Sequence, residues 1–287
     1  MTNRVDLHTH TTASDGVLTP HELVDLAVER GLVLIAITDH DTTAGIDAAQ
    51  AHAAGRLEVW PGVEISTDVP GSEVHMLGYF VDHHRPDFAA TLAELRESRR
   101  HRAEQMVQKL VELGVPVSWQ RVKQLAGSGA VGRPHVAQAL LEAGHVSTFR
   151  EAFDRYIGRT GPAYVERHKL TPVEAIGLIL GAGGMPVLAH PIYIGAAAET
   201  GEQFDLRGYL PELVRAGLAG IEAYYPGYTP EVSRDLLAIA REFGLIPTGG
   251  SDFHGPTVNQ VVLGEVDVPW STVERMREWP AQHAGKA

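Results

Sequence analysis

Cysteine is absent from the 287 residues, which removes disulfides, thiolate catalysis and cysteine-ligated zinc together. Any metal held by this chain must be held by His, Asp and Glu. Positive charge is scarce as well: 24 Lys and Arg against 36 Asp and Glu give a formal net charge of −12. No DNA-binding surface is therefore expected, because neutralising a phosphate backbone takes a basic patch. Lysine occurs only at Lys109, Lys123, Lys169 and Lys286, none of them at a strand end. No apolar run is long enough to span a bilayer, and M-T-N-R-V-D-L-H leads into the first strand without an apolar signal segment. A soluble, cytoplasmic protein without membrane contact is the expectation. What remains is an ordinary globular composition, 44% hydrophobic and 21% charged, in a length that suits one α/β barrel as well as two average domains.

The histidines and acids gather at one kind of place. In V-D-L-H-T-H-T-T-A-S-D-G, residues 5–16, a short apolar strand runs directly into His8, His10 and Asp15. Residues two apart in a strand point to the same side, so His8 and His10 can face one ion. Imidazole and carboxylate suit zinc, manganese and iron. The arrangement recurs: I-A-I-T precedes Asp39, His40 and Asp41, W-P-G-V precedes Glu64, P-V-L-A precedes His190, and T-G-G-S precedes Asp252 and His254. Another strand-like run, E-V-H-M-L-G, contains His75.

Helices separate these strands. Thr19-Pro20-His21-Glu22 reads as a capping box with proline in the first turn, opening a helix that Gly31 stops. Residues 32–38 form a nearly continuous apolar run, the pattern of a strand buried on both faces. Strands are expected over 57–63 and 74–81, helices over 43–54 and 86–113. The alternation predicts parallel βα units, with the site at the C-terminal strand ends. It breaks at 118–125, 134–143 and 148–156, which read as short helices, and resumes with a second capping box at Thr171-Pro172-Val173-Glu174 and strands near 185–190, 220–224 and 245–248.

The combination D-L-H-T-H with S-D-G, A-I-T-D-H-D, G-V-E, V-H-M-L-G, A-H-P and G-S-D-F-H-G, spread over residues 4–255, resembles the PHP family, the polymerase and histidinol phosphatase superfamily of metal-dependent phosphoesterases. The resemblance implies an α/β fold, a distorted (β/α)7-type barrel made of residues 1–99 and 166–287 with a helical cap inserted at 100–165. It implies two or three divalent ions, manganese first, with zinc or iron as alternatives. One would take His8, His10, Glu64 and Asp252; Glu64 would bridge to a second, on His75 and His190; a third would take Asp15, His40 and His254, which are also the expected catalytic residues. The family often has histidine where Asp15 stands. The implied chemistry is phosphate ester hydrolysis by a hydroxide bridging the ions, which lower the pKa of bound water and clamp an in-line displacement. Asp39 and Asp41 are expected to support the ligands or cap loops, Glu222 to support a ligand or make a structural hydrogen bond, and His83 and His84 to be solvated.

Arg96, Arg99, Arg100, His101 and Arg102 crowd one stretch of the long helix, and Gly132-Arg133-Pro134-His135 opens a later one. Arginine matches phosphate oxygens and helix N-termini favour anions; a solvated basic face balanced by Glu94, Glu97 and Glu104 is the other reading. Arg99, Arg100, Arg102, Arg133 and His135 are the candidate substrate-binding residues. Within the family, the insertion and G-R-P-H resemble the branch of nucleoside 3′,5′-bisphosphate phosphatases and RNase AM type exoribonucleases. That implies removal of the 3′-phosphate from pAp, with short RNA as a further substrate. The alternatives are a histidinol-phosphate phosphatase or other small phosphomonoesterase, and a non-catalytic metal-binding module. An amidohydrolase of the type with a bridging lysine is excluded by the lysine positions.

Overall fold

The computed structural model describes residues 3–69, 72–127, 129–166, 169–194, 205–256, 258 and 261–283. Seven strands form one sheet in sequence order: β1 Arg4–Thr9, β2 Leu32–Ile37, β3 Glu58–Val69, β4 Ser72–Tyr79, β5 Met185–Leu188, β6 Gly220–Tyr224 and β7 Ile246–Gly249. A bridge between Thr9 and Phe253, just past β7, brings the last strand back to the first. Among the described residues no helix is long and apolar enough to cross a membrane.

One strand departs from the expected parallel pattern. β4 runs antiparallel to both β3 and β5, while the other neighbours are parallel. Only residues 70 and 71 separate β3 from β4, and that spacing permits a hairpin but no parallel crossover. The reversal matters for the site: it is the first half of β4 that lies at the end where the parallel strands exit. His75 sits there, paired in register with Ser66 of the twelve-residue β3.

The helices follow the punctuation read in the sequence. α1 Pro20–Glu29 and α2 Ile46–Ala53 cover one side through Leu23, Val24, Ala27, Ile46 and Ala49, packed on Ile35 and Ile37 of β2. The Thr19 hydroxyl accepts from Glu22 N–H, and the Glu22 carboxylate accepts from Thr19 N–H, completing the capping box. The 27-residue α3, Pro86–Glu112, carries the chain from barrel to insertion. Its Phe88, Leu92 and Leu95 join the apolar layer on the sheet, whereas Ala103, Met106, Val107 and Leu110 belong to a separate core. The expected boundary between residues 99 and 100 thus falls inside a continuous helix.

That separate core is completed by α4 Trp119–Ala126, α5 Arg133–Glu142 and α6 Phe149–Ala152, the last running on into a π-helical turn at Phe153–Ile157. We refer to these helices with the second half of α3 as the cap. Gly129 shows how closely cap and barrel approach, since a Cβ there would lie 2.5 Å from the Ser14 carbonyl oxygen. α7 Pro172–Gly181, α8 Leu206–Ala216 and α9 Pro230–Phe243 cover the second half of the sheet, and α10 Trp270–Arg277 packs Val273 and Met276 against Val5, Leu7, Leu34, Leu77 and Val187. A short final helix, α11 Trp279–His283, follows.

A buried carboxylate ties the ends of the sheet together. Asp6 accepts from Ser251 N–H at 2.8 Å, Ser251 Oγ at 2.5 Å, Gly264 N–H at 2.7 Å and His8 N–H at 3.3 Å. Burial still pushes its carboxyl above the usual range, against those four bonds. Gly250 lets the two backbones meet, as a Cβ would lie 2.3 Å from His8 N. Replacing Asp6 with alanine strands buried N–H groups of Ser251 and Gly264; urea unfolding should show a loss of about 3 kcal/mol. Wild-type stability in that variant would mean that the 250–264 segment is anchored by something else.

Candidate active site

Glu64, in the middle of β3 and 1% exposed, is the centre of the site. Its Oε2 lies 3.3 Å from His8 Nε2, 3.1 Å from His10 Nε2 and 3.2 Å from His40 Nδ1. Its Oε1 lies 2.7 Å from His75 Nδ1 and 3.0 Å from His190 Nε2. Five imidazoles from four chain segments thus converge on one carboxylate. Asp252 adds an oxygen 3.2 Å from His8 Nε2 and 3.0 Å from His10 Nε2. Asp15 stands 3.5 Å from His254 Nε2, 3.7 Å from His10 Nδ1 and 3.9 Å from His40 Nε2. All nine candidate ligands meet at one end of the sheet.

The donor set fits divalent metal. Donor atoms of His8, His10, Glu64 and Asp252 lie within 4.8 Å of one another, as do those of His10, Asp15, His40 and His254, and those of His40, Glu64 and His75. The first group matches the set expected for one ion; His10 joins the Asp15 group and His40 the His75 group, which the family pattern alone does not indicate. His8 Nε2, His10 Nε2, His40 Nδ1, Asp15 Oδ1 and Glu64 Oε2 are buried without a hydrogen-bond partner among the described residues. Buried polar atoms are rarely left so, and an ion would satisfy them together.

Neighbouring groups choose which nitrogen of His8 and His254 faces inward. Glu222 of β6 accepts from His8 Nδ1 at 3.0 Å and from His190 N–H at 2.7 Å, leaving His8 Nε2 for the centre. That is the carboxylate–histidine arrangement that usually orients a metal ligand. The carbonyl of Asp252 accepts from His254 Nδ1 at 2.8 Å, and Tyr225 donates to Asp252 Oδ2 at 2.7 Å. Asp39 stays off the centre and ties the loop after β1, accepting from Thr11 N–H, Thr11 Oγ1 and Ser14 Oγ at 2.6–2.7 Å. The backbone is strained where the segments turn: Asp41, His190 and Asp252 have φ of 51°, 26° and 53°, a region that non-glycine residues seldom occupy.

The electrostatics are those of a dense alternating cluster. Burial opposes charge on His10 and His75, yet Asp252 and Glu64 beside the one, Glu64 and Glu73 beside the other, outweigh it and raise them to about 10 and about 9. Burial wins at His40, which falls to about 3. The carboxyls of Asp15, Glu64 and Asp252 are held well below their ordinary range, burial being overcome by the surrounding imidazoles.

A cavity of about 200 Å³ opens from the centre toward the cap, lined by Asp15, His40, His75, His254, Ser66, Glu73, Phe153, Arg99, Arg102 and Arg133 among others. Arg99 and Arg102 share the face of α3 that looks into it. Arg100 does not: one residue is about 100° around a helix, and its guanidinium lies half exposed on Glu97, with Glu104 nearby. That overturns its expected place in the site. His135 lines a different cavity, separated by Pro134 and Asp15. His83, expected to be solvated, has a side chain only 12% exposed and is 2.8 Å from Asp47. Tyr225 and Glu73 were missed in the sequence. Glu73 stands two residues before His75 in β4 and so shares its side, a signal that alternation carries; Tyr225 lies past the end of β6, where none exists.

A seven-stranded α/β sheet with clustered histidines and acids at its strand exits defines a metal-dependent hydrolase. The chain belongs to the PHP domain family, whose model matches residues 6–166. It is 38% identical over 257 residues to a 5′-3′ exoribonuclease of Haemophilus influenzae, covering 89% of this chain and 92% of that protein. It is 35% identical over 254 residues to a 3′,5′-nucleoside bisphosphate phosphatase of Chromobacterium violaceum, covering 88% and 87%. A crystal structure from Bifidobacterium adolescentis, described as a metal-dependent phosphoesterase, superposes with a TM-score of 0.87 at 33% identity over 96% of each chain. The protein is a phosphoesterase of this family that uses divalent metal.

Two measurements follow. Glu222→Gln keeps the packing but removes the charge behind His8, and calorimetric titration with Mn²⁺ should show affinity lowered about 10- to 100-fold; unchanged affinity would make Glu222 a purely structural contact. In ion-free protein, the raised values of His10 and His75 give stability that is complete below their ordinary value of 6.5 and is lost as pH rises through 9 to 10. Ions displace those protons, so metal affinity must rise over the same window. Melting of chelated protein should therefore fall between pH 7 and 9.5, and Mn²⁺ should reverse that slope.

Proposed function

We propose that this chain hydrolyses the 3′-phosphate ester of nucleotides that also carry a 5′-phosphate. His8, His10, Glu64, Asp252, His75, His190, Asp15, His40 and His254 would hold two or three ions, manganese being the first candidate. Ions bound there supply Lewis acidity, activating water at neutral pH and offsetting charge on the phosphoryl group.

The observation that carries this reading is Arg102. Only 6% exposed, it spends its Nε–H on the Val165 carbonyl at 2.8 Å and stacks 5.1 Å from the Tyr164 ring. Among the described residues no carboxylate lies within ion-pair distance of it, and its Nη2 has no hydrogen-bond partner. Burial and the nearby Arg133 lower its pKa to about 10, which still leaves it charged at neutral pH. Arg99, by contrast, is taken by Asp41 and Arg133 by Glu73. A buried cation offset only in part by Glu73, which is itself paired with Arg133, in a cavity whose other end is the metal centre, calls for a ligand with two anionic groups.

Arg102 would bind the 5′-phosphate while the 3′-phosphate lies on the ions. The ester oxygen between them then falls beside Asp15, His40, His75 and His254, the four proposed ligands that also line the arginine cavity. The exoribonuclease and bisphosphatase activities in the relatives' names become one reaction, cleavage of the 3′ O–P bond of a 5′-phosphorylated nucleotide. The phosphoryl group either ends there, as in pAp, or continues into RNA. A single monoester such as histidinol phosphate gives Arg102 nothing to bind.

Phosphate release with Mn²⁺ should strongly favour pAp over AMP and histidinol phosphate, with nucleotide release from a short 5′-phosphorylated RNA. Arg102→Ala should raise KM for pAp about 10- to 100-fold and change turnover of a simple monoester little. Equal losses on both substrates, or a wild-type preference for histidinol phosphate, would remove the two-anion reading.

A further inference from the structure

Building on the reading just given, we infer that the second cavity between cap and barrel is the nucleobase pocket, and that Phe149, Gln138 and His135 are its specificity-determining side chains. The first argument is size. The phosphate cavity holds about 200 Å³, below the roughly 300 Å³ at which small-molecule sites begin. It accommodates phosphates and a sugar, and the base must leave it. The adjoining cavity holds about 460 Å³ and shares two walls with the first, Asp15 and Pro134. A ribose bound between the ions and Arg102 would have this adjoining cavity beside it, across the shared wall.

The second argument is chemistry. The phosphate cavity concentrates arginines, acids and imidazoles, while the second sets Val17, Leu125, Leu141 and Phe149 beside Thr12, Asp15, His135 and Gln138 and, among the described residues, has no arginine. Leu125, Leu141 and Phe149 are half-buried, and Val17 is 46% exposed. A mixed lining with the phenyl ring of Phe149 suits a planar heterocycle, because every base has a π-face and a polar edge. Polar groups for its edge are present too. The side chains of Gln138 and His135 line the same cavity. His135 Nδ1 accepts from Gly132 N–H at 3.0 Å, so the proton of the neutral ring is on Nε2. His135 is therefore fixed as a donor at Nε2, and Gln138 offers an amide.

The G-R-P-H turn at the start of α5 divides the labour. Arg133 lines the phosphate cavity and His135, two residues on, lines the second, with Pro134 between them touching both.

The test compares pAp with the same ribose 3,5-bisphosphate lacking the base, using metal-loaded wild type, Phe149→Ala and Val17→Trp. Phe149→Ala removes the aromatic wall from the cap side, and Val17→Trp fills the cavity from the barrel side without touching the cap core. Wild type should prefer pAp by about tenfold or more in kcat/KM, and either variant should collapse that ratio toward one. Equal turnover of both substrates by wild type, or variants that slow both in proportion, would overturn the pocket while leaving the bisphosphate reading intact. Failure of wild type on both substrates would overturn that reading and this inference together.

Discussion

The structure depends on one buried carboxylate. Glu64 faces five imidazoles with two oxygens and has almost no access to water. An unpaired ionised carboxylate at such depth would be prohibitively unstable, so the surrounding charges are obligatory. Each of the five histidines must be brought to within about 3 Å of a point, and β1, the exits of β2 and β5, and β4 are placed to do so. β3 is extended to twelve residues and paired with a reversed β4, which allows Glu64 and His75 to reach the same mouth from opposite chain directions.

Around that point the supporting groups form a closed set. Glu222 orients His8 and holds the turn that carries His190, while Asp6 binds the segment that carries Asp252 and His254 back to β1. The strained backbones of Asp41, His190 and Asp252 lie just beyond the ends of β2, β5 and β7, where the chain turns at the site. Strain of about 1–3 kcal/mol at each such residue persists only where its surroundings over-determine it. The buried network provides that determination.

The cap gives the metal mouth a second wall of opposite character. One helix, α3, serves both the barrel core and the cap core, so the arginines in its middle are held rigidly at their junction. Among them, pairing separates roles that sequence leaves alike: Arg99 and Arg133 have carboxylate partners, Arg100 looks outward, and Arg102 is buried with no ion-paired carboxylate among the described residues.

The sequence by itself determined the chemistry available and much of the architecture. Apolar runs ending in His, Asp or Glu identified the strand exits, because a buried strand must be apolar until it leaves the core. Capping boxes and glycine stops identified helices, because those are local backbone requirements. Loss of that rhythm after α3 marked where short helices, and no strand among the described residues, separate β4 from β5. Only the tertiary structure decided the reversal of β4, since a strand's own pattern is indifferent to its direction. It also decided the second role of His10 and His40, the part of Glu222, the place of Tyr225, and the division of the G-R-P-H turn between two cavities. These are relations between residues far apart in the chain, set by packing that no local period records.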